Sequence, residues 1–360
     1  MSLWRWPRGI SQVAREHRVS LGEGDTPLIR SRKIGPAVGL DHLWFKLDHC
    51  NPTGSFKDRY ASVAVSHMLS NGQTRCIATS SGNTGASLAA YCAAADITCH
   101  IALVETAPLG KLQQMLAYGA NIMRIRGFGL DIDITANVFE TLVQLATAPD
   151  AALQISAFRY SPLGMSGIRS VSFELHEQVQ GTMDHVFCQA GGGGLAMGTA
   201  EGFLQLVAEG ELERAPRVHA VQPTGNDTIS GPLREGLSRG RDVQCTTKIS
   251  GLQVASVTDA DGAIEACRAT DGTGYLVDDA HVWQIQQQLA REEGIFCEPA
   301  AAVSVAGAIQ ALDNGEISPD STVICMITGS GFKDPPSVEK MIGDANCPVI
   351  DPADVADHIL

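Results

Sequence analysis

Short runs of apolar and β-branched residues alternate along the chain with alanine-rich stretches whose apolar positions recur at helical spacing. Leu43 to Leu47 precedes a helix predicted from about Ser55, and Cys76 to Ala78 precedes another from about Asn83. The rhythm continues through Thr98 to Val104, Asn121 to Arg126, His185 to Cys188, Val218 to Val221 and Thr322 to Ile327. Strands alternating with helices of this length predict an α/β fold with parallel sheets covered on both faces. No repeat, low-complexity stretch or Pro/Ser-rich linker interrupts the pattern. If there are two domains, the chain is expected to cross between them more than once.

With 360 residues, 44% hydrophobic and 18% charged, the chain can bury the core of one large or two medium domains. Its formal net charge of -14 opposes binding to nucleic acid and to acidic membrane surfaces. It does not oppose a small anion held by local backbone amides, because short-range dipoles outweigh a screened distant field. Ten cysteines lie between Cys50 and Cys347 with no CxxC pair, several in apolar runs. They read as reduced, buried small hydrophobes, and no metal site is expected. The first seventeen residues hold no leader-like apolar stretch and no run of eighteen apolar residues occurs, so a cytoplasmic protein is expected.

Three glycine-containing turns follow a strand and open a helix, where ligands gather in open α/β sheets. In Asn51-Pro-Thr-Gly-Ser-Phe-Lys57-Asp-Arg59 a lysine stands just inside a helix start. The helix dipole disfavours a cation there and, with partial burial, lowers the amine pKa towards the neutral nucleophile that Schiff-base chemistry needs. The second turn, Ser81-Gly82-Asn83-Thr84-Gly85, offers backbone N-H groups, hydroxyls and an amide to a carboxylate or phosphate. In the third, Gly191-Gly192-Gly193-Gly194, no side chain hinders a phosphate, and the spacing differs from GxGxxG and GxxxxGK[ST]. A fourth element, Thr328-Gly-Ser330-Gly-Phe-Lys333, ends an apolar strand with hydroxyls and glycines. Taken singly, each has an ordinary reading as a solvated lysine, a helix cap, a tight turn or a strand end.

Together and in this order, the four elements resemble the β-family (fold type II) of pyridoxal-phosphate (PLP) enzymes, and the threonine synthases most closely. The resemblance runs from Leu21-Gly-Glu-Gly-Asp-Thr-Pro27 to Asp334-Pro335 and includes Gly110-Lys111-Leu-Gln-Gln-Met-Leu-Ala-Tyr-Gly119. It implies two doubly wound α/β domains: a large PLP-binding domain of residues 1–60 and 155–346, a small mobile domain of 61–154 that closes over the substrate, and a tail of 347–360. By the same resemblance Lys57 is the Schiff-base lysine and general base, Asn83 meets the ring oxygen, Gly191 to Gly194 hold the cofactor phosphate, and Thr328 meets the pyridine nitrogen. Ser81, Gly82, Thr84 and Gly85 match the loop that grips the substrate α-carboxylate, while Asp58 and Arg59 are structural or supporting. A neutral hydroxyl at the ring nitrogen moderates the electron sink.

Two departures fall on the substrate side. Phe158 and Gly164 stand where threonine synthases show Asn and Arg in the segment that binds the substrate phosphate, and Ser330 stands where they usually have His. Lys111, Arg159, Ser161, Ser166 and Arg169 are the remaining donors expected for an anionic group. The resemblance implies conversion of O-phosphohomoserine and water to threonine and phosphate. The rival is β-elimination or β-replacement on serine, threonine, phosphoserine or a related amino acid, as in the dehydratases and cysteate synthase. The run Gly191 to Leu195 is similar to the dehydratases and Ser81 to Gly85 to the synthases. A silent PLP-fold sensor would not need Lys57, and a nicotinamide enzyme would show GxGxxG. The expected partners are a small amino acid and a second copy in a homodimer.

Overall fold

The computed structural model describes residues 2–107, 109–254 and 257–359, and the side chains of these except at 109–111. Among them the strands are β1 (Leu28–Arg30), β2 (Leu43–Lys46), β3 (Arg75–Ala78), β4 (Thr98–Val104), β5 (Asn121–Ile125), β6 (Ala151–Gln154), β7 (His185–Gln189), β8 (Arg217–Pro223), β9 (Gly274–Val277) and β10 (Val323–Met326). One sheet has the order β1-β2-β10-β7-β8-β9, parallel except for β1. The other has the order β5-β4-β3-β6 and is parallel throughout. β7 and β10 are buried at every position, as apolar runs in a doubly covered parallel sheet must be. The α/β architecture expected from the alternating pattern is present, and no helix among the described residues is long and apolar enough to cross a membrane.

β1, β6 and β9 have no counterpart among the runs predicted from sequence. Each lies at a sheet edge, and β1 and β6 are mostly half-buried, so they lack the continuous buried run that marks a central strand. After Pro335 the chain continues as the helix Pro335–Ile342, docked by a hydrogen bond from buried Gln286 to Ser337 (3.0 Å). Seven cysteines are buried, but Cys50 and Cys347 are exposed, contrary to a uniformly buried set. The sulfurs of Cys76, Cys92 and Cys99 lie within 4.8 Å of one another in the apolar core.

Both sheets place their switch points towards the same residues. In the larger sheet the strand order turns between β7 and β10, whose carboxyl ends carry Gly191 to Gly194 and Thr328. In the smaller it turns between β3 and β6, which lead into the Ser81 to Gly85 turn and the segment from Ile155. Crevices at such points are where open α/β sheets bind ligands.

Beneath them lies a buried ionic cluster. Fully buried Arg59, on the helix Lys57–Ser70, donates to Asp48 at 2.7 and 2.8 Å and to Glu174 at 2.5 and 2.8 Å. Lys46 at the end of β2 reaches Glu174 and the Thr26 carbonyl, each at 2.7 Å. Burial alone would raise the Glu174 carboxyl, but Arg59 and Lys46 bring it down to about 2. A depressed carboxyl contributes stability that is present above its unfolded value and is lost as pH falls towards the folded one. Glu174→Gln should therefore destabilise the protein by about 3–5 kcal/mol, because two cations are left buried with one partner. Urea unfolding at neutral pH measures this, and the gap between wild type and variant should narrow on acidification.

Candidate active site

Lys57 is the first residue of its helix, and the turn before it is stitched to the end of β10. Phe56 N-H donates to the Thr328 carbonyl (2.9 Å), Ser330 N-H to the Gly54 carbonyl (2.9 Å), and Ser55 bridges Gly329. Three successive side chains then diverge. Lys57 Nζ donates to Ser156 Oγ at 2.7 Å, Asp58 accepts from Thr53 N-H at 2.7 Å, and Arg59 enters the ionic cluster. Lys57 is half-buried, and desolvation lowers its amine to about 8 against the opposing pull of Asp259 and Glu298. Burial, with hydrogen bonds from Thr53 opposing it, puts the Asp58 carboxyl at about 6.

Ser156 Oγ also pairs with Thr84 Oγ1 at 2.9 Å, so a chain of polar groups joins Lys57 to the helix Asn83–Ala94. Asn83 Nδ2 donates to both oxygens of Glu298 at 3.0 and 3.1 Å. In the same turn Ser81 is half-buried, Gly82 is exposed, and Gly85 is buried against the Ser80 carbonyl. Across the crevice Gly193 has φ +97°, a left-handed conformation that glycine adopts without strain, and it precedes the helix Gly194–Ala208. Among the described residues nothing accepts a hydrogen bond from the N-H groups of Gly191, Gly192, Gly193 or Gly194. Four amides at a helix N-terminus fit a phosphate. Thr328 is buried beside them and accepts from Gln189 Nε2.

The structure thus brings together Lys57, Asn83, Thr84, Gly191 to Gly194 and Thr328, and adds four residues absent from the sequence reading. Ser156 follows β6 by two residues and Gln189 ends β7, while Asp259 and Glu298 occupy helix N-cap positions. A Glu before Pro299 and an Asp before Ala260 read as ordinary helix starts, so nothing local marks them as site residues. Gln189, polar at the end of an apolar run and next to four glycines, carried a readable signal.

Three of the expected anion donors are elsewhere. Arg169 is held by Glu201 at 2.8 Å and by the Gly9 carbonyl at 3.3 Å. Glu201 lies seven residues along its helix from Gly194, about 10 Å from the glycine turn. The Ser161 hydroxyl accepts from Ile155 N-H at 3.2 Å, and Ser166 Oγ donates to the Leu163 carbonyl at 2.6 Å. Arg159 is exposed with its guanidinium 5.9 Å from the Tyr160 ring centre, and the side chain of Lys111 lies outside the described residues. Where those donors were expected, the Asp259 carboxylate accepts from the N-H groups of Phe158 (2.7 Å) and Arg159 (3.1 Å).

Residues 19–329 match the family model described as pyridoxal-phosphate dependent enzyme. The threonine synthase of Methanocaldococcus jannaschii is 31% identical over 343 residues, covering 93% of this chain and 81% of that protein. That of Mycobacterium leprae is 32% identical over 326 residues, covering 89% and 85%. In the solved structures, the processed threonine deaminase isoform 2 of Solanum lycopersicum shares the fold with a TM-score of 0.75 at 21% identity, over 96% of this chain and 94% of that one.

Capture of the cofactor aldehyde needs the neutral amine, so the capture rate of cofactor-free protein should rise with pH through about 8. Removing the Asp259 charge withdraws one of the groups holding the proton on Lys57. Asp259→Asn should therefore move the midpoint of the stopped-flow absorbance profile to lower pH.

Proposed function

The chain belongs to the pyridoxal-phosphate dependent enzyme family, and within it we propose a carbon-oxygen lyase that eliminates or replaces the β-substituent of a small amino acid, with conversion of O-phosphohomoserine to threonine as the second reading. The observation that carries this reading is a half-buried lysine, its amine lowered to about 8 by desolvation, set between a hydroxyl pair and a glycine nest. Bound PLP supplies an aldehyde for covalent capture of the amino group and a ring that takes up the electron pair left at Cα. In this proposal Gly191 to Gly194 hold the phosphate and Asn83, steered by Glu298, faces the ring oxygen. Thr328 faces the ring nitrogen. The amides and hydroxyls of Ser81, Gly82, Thr84 and Gly85 grip the α-carboxylate. Lys57 would take the Cα proton as general base, and Ser156 and Thr84 beside it would keep its amine hydrogen-bonded.

The names of the full-length relatives support O-phosphohomoserine as substrate. The site geometry favours the rival, β-elimination or β-replacement on serine, threonine, phosphoserine or a related amino acid, and within it a substrate whose Cβ hydroxyl is unphosphorylated. Ser161, Ser166 and Arg169 are committed elsewhere, and a missing Cβ at Gly164 would lie 2.7 Å from Ala64 Cβ, so no arginine fits there.

A panel of serine, threonine, O-phosphoserine and O-phosphohomoserine, read by ammonia and phosphate release, separates the two. Serine or threonine should give the highest kcat/KM, and Arg169→Ala should leave KM within about twofold, as expected of a partly exposed ion pair outside the site. A higher kcat/KM for O-phosphohomoserine would restore the phosphate reading.

A further inference from the structure

Gln189 ends β7 two residues before the glycine turn, in a strand otherwise buried and largely apolar, and is itself only 4% exposed. Its Nε2 donates to Thr328 Oγ1 across the neighbouring ends of β7 and β10, while its Oε1 is buried with no hydrogen-bond partner. An unpaired buried carbonyl carries a desolvation cost that an apolar side chain in the same place would avoid. The amide is therefore not explained by packing. What it does supply is a donor aimed at one hydroxyl.

We propose that Gln189 is a positioning residue that fixes Thr328 as a hydrogen-bond donor towards the ring nitrogen of the cofactor. A threonine hydroxyl has one proton to give and lone pairs to accept with. With the Gln189 N-H occupying a lone pair of Thr328 Oγ1, the hydroxyl proton is left to point away from Gln189, into the crevice. A donor at that place satisfies an unprotonated pyridine nitrogen and opposes its protonation. The opposite amide orientation would take the Thr328 proton and present a lone pair instead, which favours a protonated ring. Gln189 thus sets how strongly the ring withdraws electrons from Cα without touching the substrate. The inference rests on the assignment of Thr328 to the ring nitrogen made above.

The test is the nitrogen NMR shift of the holoenzyme carrying cofactor labelled with nitrogen-15 in the ring, followed against pH. In wild type the signal should stay in the unprotonated pyridine range across neutral pH. Gln189→Leu, which keeps the volume and removes the donor, should raise the proton affinity of the ring nitrogen about tenfold, roughly the worth of one reoriented hydrogen bond. Gln189→Glu, an acceptor only, should raise it further, and Thr328→Val should abolish both effects. If Thr328→Val moves the signal and neither Gln189 variant does, the role of Gln189 is overturned while Thr328 keeps its place. If none of the variants moves it, Thr328 does not face the ring nitrogen, and both assignments fall.

Discussion

The buried cluster of Lys46, Asp48, Arg59 and Glu174 is the constraint on which the site depends. Two cations and two carboxylates taken out of water cost several kcal/mol each, and their mutual attraction offsets this only when nearly every donor finds an acceptor. Here they do: Arg59 makes hydrogen bonds to Asp48, Glu174, Ser170 and Thr26, and Lys46 to Glu174, Gln178 and the Thr26 carbonyl. The cluster ties β2, the helix Lys57–Ser70 and the helix Ser170–Gln178 into one body. Because Arg59 is two residues from Lys57, the same anchor fixes where the reactive amine emerges.

From that anchor the rest of the crevice is built by backbone. The turn before Lys57 pairs with the end of β10, and β10 pairs with β7, which carries the glycine turn. Lys57 itself reaches across to Ser156 after β6, and Ser156 to Thr84 after β3. Two carboxylates, Asp259 and Glu298, flank the amine and oppose the desolvation that would strip its proton. The result is a lysine that loses its proton near pH 8, well below an ordinary amine, beside amides that want an anion.

Sequence makes legible what is written locally and repeated. The long central strands, the helix starts at Lys57 and Asn83 and the four glycines are visible because each is a contiguous pattern with its own physical signature. The edge strands β1 and β6 are not, because partly exposed runs at a sheet edge lack the continuous apolar stretch of a central strand. Asp259 and Glu298 escape for a different reason: they are helix caps locally, and only the chain crossing brings them to Lys57, 202 and 241 residues away by their numbering. Arg169 is the converse, a charge whose sequence neighbourhood pointed to the site while its partner, Glu201, holds it on the outer side of a helix.

Reduction of the yellow holoenzyme with borohydride, followed by peptide mapping, tests the central claim directly. A single cofactor adduct on Lys57 is the predicted result, with the visible absorbance bleached in step. An adduct on another lysine, such as Lys333 or Lys46, would contradict the account.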